Sequence, residues 1–569
     1  MEYSAICHFA DRRYCFALER DAFLFRIKGK KKDIRRIVLH YQDKYLPLEI
    51  EDTRASAEMT LAATDRVSDY FETVIRFHVV CLRYYFEIEG TDGERTFYGN
   101  YTFWKEPPED IERMFDCPQN MREEEMLLVP EWAKNKVVYQ IFPSRFAASQ
   151  PVEKALWYKK PLGRENLKGD LRGITSRLDH LRDLGVDVIY MNPVFKAGTE
   201  HKYDTEDYFL VDPSFGTKED LKELVDKAHA LGMRVILDAV FNHSSTRFFA
   251  FADVMEKEER SEYLDWYFVE GFPLRMAWGE KPNFKTFSYF GGMPKLNLRN
   301  PKVEEYFIRV GKYWIRECGI DGWRLDVADE VGHRFWKRFR EAVRAEKPDV
   351  LLVGEEWHYG GDFLEGDEWD SAMNYHFYNA VRDLVAREEL TASQFMENLG
   401  FLRGNLHPAT CQALWNLIDS HDTARFLHSA GQSKPKQRLA AAFQLLLPGM
   451  PMIYYGDEYG MDGDEKDCRR GMVWDEAYQD QEMFAWYKKL IALRHTHPCL
   501  TEGKTAAYRA DDALGLIAMT SVLDQDEVTV LFHCGKEPVE LPEYAGRRDL
   551  IRETAFDGKL GPWEAAVLS

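Results

Sequence analysis

The first 125 or so residues consist of apolar, strand-forming runs separated by short polar turns. FLFRIKGKKKDIRRIVLHY holds two such runs around the turn-like GKKKD, and RYYFEIEGTDGERTFYG holds another pair around Thr91-Asp92-Gly93. Runs of β-branched and aromatic residues on either side of a tight turn are typical of antiparallel hairpins. The pattern therefore predicts a small β-sandwich at the N-terminus, over residues 1–125.

From about residue 134, apolar runs of strand length alternate with helical spacers, which is typical of a parallel sheet covered by helices. In one unit Thr217 can cap a helix together with Asp220, and Gly232 ends that helix before a buried strand. The strand-like runs are VVYQIF, VDVIYMNP, RVILDAVF, GWRLDV, VLLVGE, AMNYHF, ALWNLI and PMIYYG. Eight such strands over about 360 residues predict a (β/α)₈ TIM barrel with insertions.

Two segments add to this barrel. The stretch between Phe241 and Trp323 is too long for one crossover helix, so residues of about 244–300, rich in Trp, Phe and Tyr, are predicted to form an inserted subdomain after the third strand. After about residue 500 strand-like runs return, DEVTVLFHC among them, and predict a C-terminal β-sandwich. The predicted domains are residues 1–125, 126–498 and 499–569.

Composition narrows the function classes. A net charge of −21 and a pI near 5.3 repel phosphate backbones and anionic lipid, which argues against nucleic acid and membrane partners and favours a neutral substrate. No run approaches the roughly 18 apolar residues of a membrane span, and the charged residues 11–13 precede any signal-peptide core. The nine cysteines are scattered without a CxxC spacing. We therefore expect a cytoplasmic protein with reduced thiols.

Polar residues concentrate where the predicted barrel strands end, which is where barrels place their functional groups. Within GWRLDVADE, alternation along the strand puts Arg324 and Asp326 on one face. A single Arg-x-Asp pair is most often a structural ion pair. Four strand ends change this interpretation, because together they bring one set of polar residues to one mouth: Asp238, Asn242, His243, Arg324, Asp326, Glu355, Glu356, His358, Asp419, His421 and Asp422.

Such a cluster of carboxylates indicates carboxylate chemistry, since the chain lacks a phosphate loop and a serine elbow. Glycoside hydrolysis requires one carboxylate that is ionised and another that is protonated. The permanent charge of Arg324 should favour ionised Asp326, while Glu355 can remain the acid if the other carboxylates crowd it.

Four of these segments, DAVFNH, GWRLDVADE, VGEEWH and LIDSHD, resemble in order and spacing the four conserved segments of the α-amylase superfamily of glycoside hydrolases. MPKLN at 293–297 resembles a fifth segment, found in the branch that contains cyclomaltodextrinases, neopullulanases and maltogenic amylases. That branch carries an N-terminal β-sandwich ahead of its barrel. The resemblance therefore covers nearly the whole chain.

The resemblance implies a retaining mechanism on α-glucosidic bonds. Asp326 matches the nucleophile, Glu355 the general acid/base, and Asp422 the carboxylate that holds sugar hydroxyls and stabilises the transition state. The implied substrate contacts fall into three groups: Arg324, His243, His421 and Tyr203 around the glucose ring; Phe287, Trp357 and Tyr375 on the acceptor side; Asp467 and Arg469 further along the donor side.

Several of the polar residues keep a second interpretation. Asp238 and Asn242 are equally compatible with loop-ordering hydrogen bonds and with substrate contacts. Strand alternation sends Glu355 and Glu356 in opposite directions, and only the Gly-Glu order of the family favours Glu355. His358 and Asp419 are interpreted as supporting residues.

One segment departs from the family pattern. Relatives often follow the first barrel strand with an Asn- and Asp-rich loop that binds calcium through six to eight oxygen ligands. The corresponding stretch here is PSRFAASQPVEKA, and only Gly169-Asp170 remains of the usual partners. We predict that this calcium site is absent and that no metal or other cofactor is needed.

The resemblance implies an enzyme that opens cyclodextrins and cuts maltooligosaccharides and pullulan, giving maltose and glucose with some transglycosylation. It also implies a homodimer formed through the N-terminal domain. An α-1,6-specific glucosidase or debranching enzyme of the same superfamily is the alternative. A non-catalytic glycan-binding protein is the more remote alternative. Such a protein should lack one of the three carboxylates or carry a membrane anchor, and we expect neither from this sequence. The sequence does not rank the substrates.

Overall fold

The computed structural model describes residues 1–47, 54–118, 129–160, 166–277 and 279–569. The chain divides into two compact units, one formed by residues 1–128 with 393–411 and the other by residues 129–392 with 412–569. The predicted boundary between residues 125 and 126 lies outside the described residues. The predicted domain bounds therefore stay a prediction.

The first unit is a two-sheet β structure. Its strands are β1 (Cys15–Glu19), β2 (Ala22–Lys30), β3 (Ile34–Asp43), β4 (Ala55–Glu58), β5 (Thr60–Thr64), β6 (Ser68–Arg76), β7 (Cys81–Gly90), β8 (Arg95–Gly99), β9 (Thr102–Trp104) and β10 (Phe115–Pro118). One sheet has the order β1-β2-β6-β5, and the other has β4-β3-β7-β8-β9 with β10 paired to β7. Side chains of both sheets, such as Phe25 and Phe86, share one buried core. The predicted N-terminal sandwich is confirmed, and so is the predicted hairpin around Thr91-Asp92-Gly93, where β7 pairs with β8. The hairpin predicted around GKKKD is wrong, because β2 and β3 on either side of that turn lie in different sheets.

A helix from far along the chain completes this unit. It spans Ala392–Asn405 and lies inside the predicted barrel segment in sequence. Buried Arg26 on β2 donates to the backbone oxygens of Arg403 and Leu406, each at 3.1 Å, and pairs with Glu72 at 2.6 Å. This return of the chain could not be read from the local sequence, because the pairing partners are more than 360 residues apart.

The second unit contains the predicted barrel. Eight parallel strands close on themselves in the order β11 (Val138–Ile141), β12 (Val188–Met191), β15 (Arg234–Ala239), β16 (Gly322–Leu325), β17 (Leu351–Gly354), β18 (Ser371–Asn374), β19 (Trp415–Leu417) and β20 (Met450–Tyr454). The ring closes where Val138 of β11 pairs with Met452 of β20. Each of the eight apolar runs identified in the sequence supplies one barrel strand, so the barrel is confirmed.

The α-helices of both units are numbered in chain order, and α10 and α11 lie mainly in the first unit. In chain order they are α1 (Pro143–Phe146), α2 (Lys154–Trp157), α3 (Leu171–Thr175), α4 (Leu178–Leu184), α5 (Lys218–Ala230), α6 (Phe249–Lys257), α7 (Pro301–Cys318), α8 (His333–Glu346), α9 (Tyr375–Val381), α10 (Ala392–Asn405, described above), α11 (Pro408–Ala413), α12 (Phe426–Ser429), α13 (Lys434–Leu446), α14 (Gln481–Thr496) and α15 (Cys499–Glu502). Thr217 and Asp220 form the predicted capping box at the start of α5, whose apolar face is buried.

The loop after β15 is the longest excursion from the barrel, as predicted. It contains α6, an irregular segment and α7, and its aromatic side chains pack on one another. An isolated bridge joins His243, just after β15, to Lys295 of the MPKLN segment. A hairpin of β13 (Phe195–Ala197) and β14 (Thr205–Val211) follows β12 in the same way. Both excursions leave the carboxyl ends of barrel strands.

The chain ends in the predicted C-terminal β region. Its strands are β21 (Lys504–Asp511), β22 (Leu516–Leu523), β23 (Asp526–His533), β24 (Val539–Glu540), β25 (Arg548–Asp549), β26 (Thr554–Ala555), β27 (Lys559–Leu560) and β28 (Glu564–Leu568). Six of them form one sheet, and β24 pairs with β27. Within the part of the chain that the structure describes, none of the helices could cross a bilayer.

Candidate active site

A buried arginine on the fourth barrel strand holds three carboxylates. The Nη1 of Arg324 lies 2.7 Å from Asp326 Oδ1 and 3.1 Å from both oxygens of Asp238, and its Nη2 lies 2.7 Å from Glu355 Oε1. All four side chains are at least nine-tenths buried. If all three carboxylates are ionised, one guanidinium leaves two negative charges uncompensated in this cluster.

The register of three neighbouring strands builds the cluster. Asp238 on β15 pairs with Arg324 on β16, so the two residues stand side by side in the sheet. Asp326 comes directly after β16, and Glu355 directly after β17. Parallel strands end at one rim, so side chains that follow adjacent strands meet there. The predicted convergence of Arg324, Asp326 and Glu355 is what the structure shows.

Burial raises the pKa of Asp326 well above its ordinary value. The Arg324 guanidinium acts in the opposite direction, as the sequence predicted, whereas Glu355 and Asp238 raise the pKa further. The effect of burial on the pKa of Asp326 exceeds that of Arg324, because the same guanidinium also pairs with Asp238 and Glu355. Arg324 therefore lowers the cost of ionising Asp326 without removing it.

Strained backbone next to Asp326 positions Glu355. Val327 has a φ of 47°, a left-handed conformation that β-branched residues rarely adopt. Its amide donates to Glu355 Oε2 at 2.9 Å, which fixes the carboxylate against Arg324. The oxygen of Glu356 instead accepts from the backbone amide of His358 at 2.7 Å. The hydrogen bonds thus distinguish Glu355 from Glu356. From the sequence alone, only the family pattern distinguished them.

A chain of hydrogen bonds links this cluster to Asp422. The Tyr203 hydroxyl donates to Asp238 Oδ2 at 3.0 Å and lies 2.6 Å from His421 Nε2, and the two rings stack within 6° of parallel. His421 Nε2 lies 3.0 Å from Asp422 Oδ2. Burial acts to raise the pKa of Asp422, but His421, Arg469 and Arg324 outweigh it and the pKa falls below the ordinary value. Asp422 is therefore held ionised.

Aromatic rings stand around the carboxylates. His243 stacks on Phe287 at a centroid distance of 4.9 Å, and burial lowers the pKa of His243 to about 3, so its imidazole is neutral. Trp357, which is 45% exposed, stacks on buried Tyr375 at 3.9 Å. An exposed ring backed by a buried one is a rigid apolar face, suited to stacking on a sugar.

The two residues predicted for the far donor side have different surroundings. Arg469 donates to Asp422 Oδ1 at 3.0 Å and to the backbone oxygen of His421 at 2.8 Å. Asp467 is bound by Arg470 and by Lys160, the latter at 3.0 Å. Arg469 thus adjoins the carboxylate cluster, while Asp467 belongs to a neighbouring ion-pair group.

Three further polar residues, which the sequence did not single out, lie on or directly after the first two barrel strands. The Tyr190 hydroxyl donates to Asp238 at 2.7 Å, Asn192 Nδ2 donates to the Tyr203 hydroxyl at 2.9 Å, and Gln140 Nε2 lies 2.8 Å from His421 Nδ1. Their signal was present, because a polar side chain inside an otherwise apolar buried strand needs a partner. It was overlooked because only the later strands end in charged residues.

The residues left open in the sequence have identifiable partners. Asn242 bonds to Lys295 and Glu330 and so orders the loop after β15. Asp238 contacts Arg324 and two tyrosines. Asp419 accepts from the amide of Phe426 at 2.6 Å. Each of these contacts orders the site from within the protein.

Asp170, the acidic residue that remains after the first barrel strand, is engaged by contacts within the protein. The Asp170 carboxylate caps α3 through the Gly173 amide at 2.6 Å and accepts from the Ser149 hydroxyl at 2.7 Å. Calcium requires six to eight oxygens, largely from carboxylates and carbonyls. Over the described ranges no group of three or more His, Cys, Asp or Glu side chains has an arrangement that could hold a metal ion.

Comparison with known proteins adds the following matches. Residues 140–482 match the family described as alpha amylase, catalytic domain, and residues 1–120 match alpha amylase, N-terminal ig-like domain. Neopullulanase 2 of Thermoactinomyces vulgaris is 40% identical over 98% of this chain and 96% of its own. Intracellular maltogenic amylase of Bacillus subtilis is 38% identical over 94% of this chain and 92% of its own. A solved structure of a cyclomaltodextrinase superimposes with a TM-score of 0.94 at 37% identity and covers 100% of both chains.

Proposed function

The chain belongs to the α-amylase family of glycoside hydrolases, and from this premise we propose that it cuts α-1,4-glucosidic bonds of cyclodextrins, maltooligosaccharides and pullulan with retention of configuration. The carboxylate cluster on Arg324 is the observation that carries this proposal. Relatives that match over nearly the full length are named neopullulanase, cyclomaltodextrinase and maltogenic amylase, which supports these substrates. Maltose and glucose are the expected products.

In the proposed mechanism Asp326 attacks the anomeric carbon and forms a covalent glycosyl-enzyme intermediate. Glu355 donates its proton to the leaving glycosidic oxygen, and then removes a proton from the water that hydrolyses the intermediate. The bond to the Val327 amide and the shared Arg324 hold both carboxylates in place. For these steps Asp326 acts in its ionised form and Glu355 in its protonated form, as glycoside hydrolysis requires of its two carboxyl groups.

Asp422 is proposed to bind sugar hydroxyls at the cleavage site and to stabilise the positive charge that develops on the ring. Its lowered pKa supports this role, since an ionised carboxylate both accepts hydrogen bonds and opposes that charge. Tyr203 is the proposed stacking platform at the cleaved glucose, with His243, His421 and Arg324 around it. Phe287, Trp357 and Tyr375 are assigned to the acceptor side, and Arg469 and Asp467 to the donor side.

We assign the protein to the cytoplasm, supported by a relative named intracellular maltogenic amylase. We also propose a homodimer formed through the N-terminal unit. The chain mass is 66.6 kDa, so light scattering at micromolar protein should report about twice that value. A mass near that of one chain would rule out the dimer.

The test of the substrate proposal is an initial-rate comparison on cyclodextrins, pullulan, soluble starch and isomaltose with EDTA present, with products resolved by chromatography. Cyclodextrins should be cut fastest, with maltose and glucose accumulating, and EDTA should have no effect because no metal is proposed at the site. Faster cleavage of isomaltose or branched dextrin would instead favour the α-1,6-specific alternative. A loss of rate with EDTA would contradict the metal-free proposal.

A further inference from the structure

A partly open cavity of about 420 Å³ lies in the second unit, where the barrel segment after α9 meets the loops of the C-terminal sheet. Leu384 and Glu388 border it on one side, and the turn between β21 and β22 at residues 512–515 borders it on another. The loop after β23 and the side chain of Trp563 complete the wall. None of these residues belongs to the candidate active site. The volume falls within the roughly 300–1,000 Å³ of small-molecule sites.

Trp563 is held in a strained conformation at the edge of this cavity. It follows Pro562 in the turn before β28, and its φ is 57°, in the left-handed region. After a proline, this turn position normally takes glycine or asparagine, because a side chain there crowds the backbone. A bulky indole at such a position carries a conformational cost that the surrounding structure must offset.

The turn that carries Trp563 is braced from both sides. His533 Nδ1 lies 2.7 Å from the backbone oxygen of Gly561, and the Gly561 amide donates to Glu564 Oε2 at 2.6 Å. Between two of the lining loops the Cys534 amide donates to the Gly515 backbone oxygen at 2.7 Å, which joins them. The ring therefore borders a wall that is formed before any ligand arrives.

The charges around the cavity disfavour an anion. The Glu388 carboxylate pairs with Lys436 at 2.8 Å and with Lys536 at 2.6 Å, so both cations are already engaged. Lys436 Nζ also lies 4.6 Å from the centre of the Trp563 ring system. Asp512 and Glu537 add negative charge to the lining. An aromatic ring beside hydrogen-bonding carboxylates suits a neutral ligand with many hydroxyl groups.

We propose that this cavity is an accessory binding site for a short neutral oligosaccharide, which stacks on Trp563 and hydrogen-bonds to the polar lining. The site goes beyond the proposed function, since binding there requires neither the carboxylate cluster nor turnover. It would keep a sugar chain attached to the enzyme while the barrel mouth is empty.

The test uses the full-length Asp326→Asn protein labelled with 5-fluorotryptophan and titrated with maltotriose. Trp563→Phe identifies the fluorine resonance of Trp563, and Trp357→Phe identifies that of Trp357 at the candidate active site. We expect the Trp563 resonance to shift and saturate at millimolar maltotriose, and to stay in place with sorbitol, a polyol without a pyranose ring. A Trp563 resonance that does not move, or that moves equally with sorbitol, overturns the proposal.

The two resonances separate this inference from the proposed function. A shift at Trp563 with none at Trp357 would contradict maltotriose as an active-site ligand and leave the accessory site standing. A second variant, Trp563→Gly, replaces the strained residue by the one its backbone favours, so it should fold. Equilibrium dialysis should then show at least a tenfold weaker second binding event than in Asp326→Asn alone. Unchanged binding in the glycine variant would also overturn the proposal.

Discussion

Replacing Asp326 by asparagine is expected to abolish turnover while raising the thermal stability of the barrel unit at neutral pH. The amide keeps the shape of the side chain and can still accept the bond from Arg324 through its oxygen. It cannot act as a nucleophile, so kcat should fall by at least about 10⁴-fold, equivalent to about 5 kcal/mol. The gain in stability follows from the raised pKa of the carboxyl it replaces.

A carboxyl whose pKa is raised by folding favours the folded state in its protonated form. That contribution is fully present below the pKa of the unfolded chain and is lost as the pH rises through the folded pKa, because the buried group must then ionise. Each unit of pKa difference corresponds to about 1.4 kcal/mol. Asparagine carries no such cost, so its advantage over Asp326 should be largest at neutral pH and disappear near pH 4.

Removing the charge of Asp326 breaks one buried ion pair but does not leave Arg324 without a counter-ion. Arg324 keeps its contacts with Asp238 at 3.1 Å and with Glu355 at 2.7 Å, so two carboxylates still pair with the one guanidinium. The reverse change, Arg324→Met, leaves three buried carboxylates without a cation and should cost roughly 3–5 kcal/mol. Two variants of one ion-pair cluster are therefore expected to shift stability in opposite directions.

The assay is differential scanning calorimetry of the wild type and both variants at pH 7 and near pH 4, beside initial rates on a cyclodextrin. Asp422→Asn is the matched control, because the pKa of Asp422 is lowered and its ionised form favours the folded state above the unfolded pKa. Its side chain is 31% exposed, so water screens the effect and only a small loss of Tm is expected at pH 7. A fall in Tm for Asp326→Asn at pH 7 would refute the reasoning, since Arg324 would then outweigh burial.

Three further substitutions test individual roles. Glu355→Gln should lose far more activity on maltotriose than on para-nitrophenyl α-maltoside, whose leaving group needs no proton; equal losses would contradict an acid role. Tyr203→Phe keeps the stacked ring but leaves His421 and Asp238 without its hydroxyl, so kcat/KM should fall about 10- to 100-fold, and an unchanged value would contradict the network. Trp357→Ala should lower the ratio of transglycosylation to hydrolysis in chromatographed products, because the exposed ring would no longer hold a sugar acceptor.

The sequence was sufficient to predict the barrel, because each of its strands is a short apolar run with a helical spacer behind it. It was also sufficient to predict that Arg324, Asp326 and Glu355 converge, since the ends of parallel strands meet at one rim. The helix at 392–405 was a different case. Its apolar residues indicate only that it packs on something, and its partner on β2 lies hundreds of residues away in the chain.

The roles of Asp238 and of the two glutamates also depended on three-dimensional register. Asp238 lies on β15, Tyr190 on β12, and Tyr203 in the segment between β13 and β14, so no local pattern shows that both hydroxyls bind this carboxylate. Glu355 and Glu356 are adjacent in sequence, and only the left-handed turn at Val327 presents an amide to one of them. Contacts of this kind are set by the closure of the barrel, which side-chain alternation along one strand does not describe.

The closure of the barrel also explains the charge imbalance of the carboxylate cluster on Arg324. If only their own strand is considered, Arg324 and Asp326 form a balanced ion pair, which would lower the pKa of Asp326. The register of β15, β16 and β17 adds Asp238 and Glu355 to that guanidinium and buries all of them, so the pKa of Asp326 rises instead. A carboxylate poorly compensated in this way gains most when positive charge develops on a bound sugar, because that charge supplies the missing counter-ion. We therefore propose that the imbalance that destabilises the empty site also makes it complementary to the transition state of glycoside cleavage.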